Sequence, residues 1–203
     1  LTEQPEYNGT QLIHSKVIAS YLRQLLRNDL QYAPFRMEGM EQDVREMMEI
    51  DTPQGKLALQ IGGTIDRLDS KGDTLRIVDY KTGGTPKTPE NIEQLFTPAD
   101  NRPNYIFQTF LYAAILCRKQ SLKVAPSLLY IHRAASESYS PVIEMGAPRQ
   151  PKVPVNNFAF FEDEFRERLH GLLQEIFSQE ETFSQTEDTR KCEYCDFRSL
   201  CKR

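Results

Sequence analysis

Gly62-Gly63-Thr64-Ile65-Asp66-Arg67-Leu68-Asp69, then Ser70-Lys71-Gly72-Asp73, then Thr74-Leu75-Arg76-Ile77-Val78-Asp79-Tyr80-Lys81: this stretch decides the fold. Leading into it, Leu57, Leu59, Ile61, Gly63 and Ile65 alternate with Ala58, Gln60, Gly62, Thr64 and Asp66. A period of two predicts a strand. Residues 70–73 carry turn chemistry, and the run from Thr74 to Lys81 predicts a second strand. So short a connection makes the pair an antiparallel hairpin. A four-residue turn over positions 71–74 sets Asp66 opposite Asp79, with Cβ atoms about 4.5–5.5 Å apart. Lys81 lies two residues past Asp79 and projects from the same face, about 7 Å further along.

Outward from the hairpin the pattern changes. Residues 10–28 place Ile13, Val17, Ile18, Tyr21, Leu22, Leu25 and Leu26 at helical spacing, which predicts an amphipathic helix with one buried face. Residues 35–50 read as a strand and Pro53-Gln54-Gly55 as a turn. Past Thr82-Gly83-Gly84 comes a Pro-rich connection with one helical turn near residues 91–96. Residues 104–119 are apolar on almost every side, which predicts a helix buried against a sheet. A short strand is expected at residues 127–132, then an irregular excursion over 135–155 with a strand around 142–145. The last helix turns Phe165, Leu169, Leu172, Leu173 and Ile176 inward, with Glu164, Arg166, Glu167 and Arg168 toward water. This order of elements predicts an α/β fold, a central mixed β-sheet flanked by helices. We read residues 1–203 as one domain, with 186–203 as a Cys-rich tail.

At 203 residues, 39% hydrophobic and 27% charged, the chain excludes wholesale disorder. No apolar run reaches the roughly 18–20 residues of a membrane helix, so no membrane partner is expected. Residues 1–6 have neither the basic start nor the apolar stretch of a secretory signal. They also lack an initiator Met, and the sequence reads as a piece of a longer protein. A net charge of −4 excludes a positive coat over the whole surface, though a nucleic-acid groove needs only local charge or cations. Cys192, Cys195 and Cys201 crowd one end while Cys117 stands alone in an apolar stretch. That distribution predicts a reducing, cytoplasmic setting and metal chemistry in the tail, with Cys117 an inert core thiol.

Two carboxylates facing each other repel, and one tends to take up a proton. A divalent cation relieves this, because Mg²⁺ accepts one or two carboxylates and keeps room for water and phosphate oxygens. Beside a Lys ammonium, such a cation supplies the chemistry of attack on a phosphodiester. An Asp–Asp–Lys trio on a strand is more often a solvated patch. Two features favour chemistry here. Gly62-Gly63 ahead of Asp66 suggests room for a substrate backbone, and Ile77-Val78 makes this strand a costly place for unpaired charge.

The two strands, Gly63-Thr64-Ile65-Asp66-Arg67-Leu68-Asp69 and Ile77-Val78-Asp79-Tyr80-Lys81-Thr82-Gly83, resemble the nuclease core of the PD-(D/E)XK superfamily, and more narrowly its RecB/AddB-type exonuclease domain. Gln108-Thr109-Phe110-Leu111-Tyr112 is similar to that branch's Gln-x-x-x-Tyr motif, and His14 fits the His on its early helix. The resemblance spans His14 to Cys201. It implies a restriction-endonuclease-like core and a Mg²⁺- or Mn²⁺-dependent deoxyribonuclease acting on DNA in repair and recombination. It also implies attachment to a helicase-type domain or subunit. By it, His14, Asp66, Asp79 and the Tyr80 backbone carbonyl are metal ligands, Lys81 is the catalytic lysine, and Gln108 and Tyr112 lie beside it. Glu41 aligns loosely with the family's acidic residue on the preceding strand. Arg67 and Arg76 either touch phosphate or pair with Asp69 and Asp73. His132 and His170 match nothing.

The spacing Cys192-x-x-Cys195-x₅-Cys201 suits thiolates around an iron–sulfur cluster or Zn²⁺, each of which takes four ligands. AddB-type tails, which this one resembles, hold a [4Fe–4S] cluster with a fourth Cys from upstream. That Cys is absent here, so an incomplete cluster site is expected. Two rival readings remain: a stand-alone CRISPR-adaptation- or phage-type nuclease of the same superfamily, and a catalytically silent DNA-binding module with a Zn-binding tail.

Overall fold

The computed structural model describes residues 8–99, 101–136, 138–177 and 184–203. Positions 1–6, read above for a signal, lie outside the described residues. Helix α1 (Gly9–Tyr32) starts where Asn8 and Gln11 cap one another. The Asn8 Oδ1 accepts from the Gln11 N–H, and the Gln11 Oε1 accepts from the Asn8 N–H, each at 2.9 Å. The helix stops at Ala33, where Pro34 disfavours helical backbone in the residue before it. Strands β1 (Arg36–Thr52) and β2 (Gly55–Lys71) form a long antiparallel hairpin. β2 turns at Gly72, which has a φ of 62°, into β3 (Thr74–Lys81). Helix α2 (Asn104–Cys117) then carries the chain back to β4 (Lys123–Tyr130), which runs parallel to β3. The sheet order is β1-β2-β3-β4, so the sheet is mixed, as expected. A two-residue pair, β5 (Glu144–Met145) with β6 (Val153–Pro154), and helix α3 (Glu162–Phe177) complete the elements used below.

Alternation along the strands sends side chains to two faces. Leu75, Ile77, Val124 and Leu128 face α2 and α3, where Phe110, Phe158 and Phe165 fill the main core. Val78, Leu129 and Ile131 face the other way, onto Tyr21 and Leu25 of α1. Asp79 and Lys81 continue the row of Ile77, and so they open on the α2 side.

Two expectations are corrected. Of the apolar positions expected to form the buried face of α1, only Tyr21 and Leu25 pack, while Ile13, Val17, Ile18, Leu22 and Leu26 are exposed. A helix of 24 residues reaches about 36 Å, whereas the eight residues of β3 span about 26 Å, so α1 outruns the strands beneath it. Arg166, expected in water, is buried. It donates to Glu162 at 2.9 Å, to both carboxylate oxygens of Glu46, and to the Ala114 carbonyl, tying α3 to β1 and α2. Its stem covers apolar surface while its head finds carboxylates, which lets an Arg be enclosed. Among the described residues, no helix is long and apolar enough to cross a membrane.

Candidate active site

The β2–β3 ladder runs from Lys71–Thr74 to Arg67–Val78. Asp66 and Asp79 are the next opposed positions, one step past the end of the ladder, where the strands begin to part. Asp66 reaches across: its Oδ2 accepts from the Tyr80 N–H at 2.7 Å. The N–H and C=O of one strand residue leave by the same edge. The Tyr80 carbonyl therefore emerges on the Asp66 side, beyond the last ladder pair.

Asp79 is only 3% exposed. Burial pushes its carboxyl above the ordinary range, the nearby Lys81 ammonium pulls it back, and the Asp66 charge adds to the rise. The Lys81 Nζ lies 2.5 Å from the Asp79 Oδ2, a close ion pair that leaves this buried oxygen facing a single ammonium. Two carboxylates and a carbonyl, one of the carboxylates buried beside the Lys81 ammonium, form a hard-oxygen donor set. It fits Mg²⁺ or Mn²⁺, which bind through few carboxylates and retain other oxygen ligands.

Helix α2 adds the second half of the site. Tyr105, Gln108 and Tyr112 stand at i, i+3 and i+7, hence on one helix face. The Lys81 Nζ donates to the Gln108 Oε1 at 3.3 Å and sits 4.3 Å from the centre of the Tyr105 ring. The Gln108 Nε2 donates to the Tyr112 hydroxyl at 2.9 Å. A Cβ at Gly63 would lie 2.7 Å from that same hydroxyl. The small residues before Asp66 thus have a different purpose from the one expected. Gly63 makes room for the Tyr112 ring, and the space at Gly62, with a φ of 149°, is taken by the β1 backbone at Val44. Neither leaves a gap for substrate.

Two residues near Lys81 escaped the sequence reading. Tyr105 carries a signal in retrospect, because it precedes Gln108 by three positions on a helix. Tyr130 carries none, since it reaches the site through the parallel register that pairs it with Lys81. Burial, followed by the Tyr139 and Tyr105 phenols and the Asp79 carboxylate, pushes the Tyr130 phenol up to about 12.

Other expected residues fall elsewhere. His14 is exposed on the overhanging part of α1 and joins no metal-holding group with the two acids among the described residues. Glu41 lies beside Asp66 in the β1–β2 register, exposed and with a φ of 47°. Arg67 and Arg76 do not address phosphate. Both pair with the fully buried Asp69, and Arg67 also holds Asp29 of α1 at 2.9 Å and the Tyr80 hydroxyl at 3.0 Å. Asp73 pairs instead with Lys123. In the tail, Cys192, Cys195 and Cys201 are free thiols on a succession of turns. Three thiols fall short of the four ligands a cluster or Zn²⁺ takes, and among the described residues no three Cys, His, Asp or Glu gather to hold a metal. The tail by itself does not fit such a centre. Cys117 is half-buried against the core, and burial pushes its thiol up to about 11.

A search of curated proteins returns no match. A model of the PD-(D/E)XK nuclease superfamily, whose members are characteristically divalent-metal-dependent nucleases, matches residues 2–202. With the match running over nearly the whole sequence, and with two acids and a lysine at the open end of a mixed sheet, the chain belongs to the PD-(D/E)XK nuclease superfamily.

Proposed function

We propose that the protein is a Mg²⁺- or Mn²⁺-dependent deoxyribonuclease of the RecB/AddB exonuclease type, working in the cytoplasm on DNA during repair and recombination beside a helicase-type domain or subunit. One observation carries the reading: Asp66, Asp79 and Lys81 converge on one face of the sheet, and Gln108 and Tyr112 are linked to Lys81 by hydrogen bonds.

Asp66, Asp79 and the Tyr80 carbonyl would hold the cation, which acidifies water and offsets phosphate charge when bound. Lys81 neutralises Asp79 in its absence, and its ammonium is placed to orient a nucleophile and to stabilise charge growing on the phosphoryl oxygens. Gln108 keeps Lys81 beside the site through its Oε1, so that the ammonium has an acceptor other than Asp79. Tyr112 fixes the Gln108 amide, and Gly63 lets Tyr112 stand where it does. His14 and the tail thiols are outside this donor set.

Incubation of linear single- and double-stranded DNA with Mg²⁺, Mn²⁺ or EDTA tests the proposal. Wild type cleaves only with the cations, and Asp79→Ala and Lys81→Ala each lose on the order of a hundredfold or more in rate. Cleavage that persists in EDTA, or that both variants retain, removes the assignment.

A further inference from the structure

Next to Lys81 lies a cavity of about 310 Å³ that the hydrolytic residues do not use. Its walls include Gly84, Lys87, Arg102, Tyr105 and Tyr130. Two properties set it apart. Tyr130 is only 3% exposed and its ring lines the cavity, yet its hydroxyl keeps access to solvent and makes no hydrogen bond among the described residues. An accessible hydroxyl that no protein group engages is a donor free to meet a ligand. Tyr105, in contrast, is 43% exposed, and it presents its ring to the cavity within contact of Lys81.

The rest of the wall suits a nucleotide. Gly84, at a φ of 79°, brings backbone close to both rings: a Cβ there would meet Tyr105 at 3.4 Å and Tyr130 at 3.9 Å. Lys87 donates to the carbonyls of Asn101 and Arg102 at 2.7 and 3.2 Å, fixing the rim. Arg102 donates its Nε to Asn104 and has no ion pair among the described residues. An aromatic floor, one hydroxyl donor not engaged by the protein and two cations at the rim match an aromatic, polar and anionic ligand. The volume lies at the small end of ligand sites.

We propose that this cavity is a base-binding subsite: an unpaired nucleobase beside the scissile phosphate lies against Tyr105, the Tyr130 hydroxyl donates to an acceptor on its edge, and Arg102 and Lys87 face the flanking phosphate. A base held in a duplex cannot present its ring and its edge together to such a pocket, so the subsite selects single-stranded termini or locally opened DNA. The inference rests on the nuclease reading, which places the scissile phosphate at Lys81.

The test uses single-stranded oligonucleotides carrying one 2-aminopurine, moved through successive positions. In EDTA, binding is followed by anisotropy and stacking by quenching of the 2-aminopurine fluorescence. In Mg²⁺, cleavage of the same strands is followed. Wild type and Tyr105→Phe quench the probe at one position, Tyr105→Ala does not, and Tyr130→Phe binds roughly fivefold more weakly. Thermal melts show that the variants remain folded. Cleavage by wild type without quenching at any position overturns the subsite and leaves the nuclease reading standing, as does quenching that Tyr105→Ala retains. Quenching lost in Tyr105→Ala without cleavage by wild type has the opposite meaning: the subsite stands and the nuclease reading falls.

Discussion

Replacing Arg67 by Met tests how the hairpin that carries Asp66 and Asp79 is held in place. The Arg67 side chain is 3% exposed. Its Nε donates to Asp69 at 3.0 Å, its Nη1 to Asp29 at 2.9 Å and to the Tyr80 hydroxyl at 3.0 Å, and its Nη2 to Asp29 at 3.0 Å. One guanidinium thus joins α1 to both strands that carry the acids. Removing one partner of a buried ionic group costs about 3–5 kcal/mol, because the remaining charge is stranded. Here Asp69 keeps Arg76, at 2.9 and 2.7 Å, and Asp29 is partly open to water. The expected cost is therefore the lower end, about 3 kcal/mol. Urea unfolding reads it as a drop in midpoint at unchanged slope. Tyr80→Phe removes one of the four hydrogen bonds and costs about 1 kcal/mol. The double variant falls short of the sum, since the two residues share a contact. An Arg67→Met protein within 1 kcal/mol of wild type would refute the view that this network positions the site.

Gly63→Ala places a methyl 2.7 Å from the Tyr112 hydroxyl; overpacking costs about 1–3 kcal/mol and lowers cleavage by displacing the Tyr112–Gln108–Lys81 chain. A second substitution, Tyr112→Phe, removes the hydroxyl at the nearest point of the clash and recovers part of the stability but not the rate. Burial holds the Asp79 carboxyl above its ordinary 3.8, so the folded state binds this proton more tightly than the unfolded chain does. Stability is lost as pH rises from that value through the folded one, and it stays low above it. Asp79→Asn therefore raises the melting temperature at pH 7, and the gain vanishes below about pH 4; a lower melting temperature at pH 7 would contradict this. Titration of the native protein with a thiol reagent at pH 8 should show three fast equivalents, from Cys192, Cys195 and Cys201. Cys117, with its thiol at about 11, reacts only on unfolding.

What could be read in the sequence was local. The alternation through Ile65 and the short turn at Gly72 determine the β2–β3 register, and with it the meeting of Asp66, Asp79 and Lys81. Gln108 and Tyr112 share a face by helical arithmetic alone. What could not be read depended on distant partners. The ring that fills the space at Gly63 comes from another element, so the glycine looked like substrate clearance. Tyr130 enters through a parallel pairing that no local spacing encodes. The stripe from Ile13 to Leu26 has the period of a buried helix face, but the period does not say how far the sheet extends. Arg166 has the composition of a surface residue, and only the approach of Glu46 from β1 makes it an interior one.

If Asp66 and Asp79 share one hard cation, Mn²⁺ should collect between them. Crystals soaked in Mn²⁺ and measured for anomalous scattering test it most directly. One strong peak between the two carboxylates beside the Tyr80 carbonyl is expected, and Asp79→Ala should abolish it. No peak at that position, or an equal peak in the variant, would contradict it.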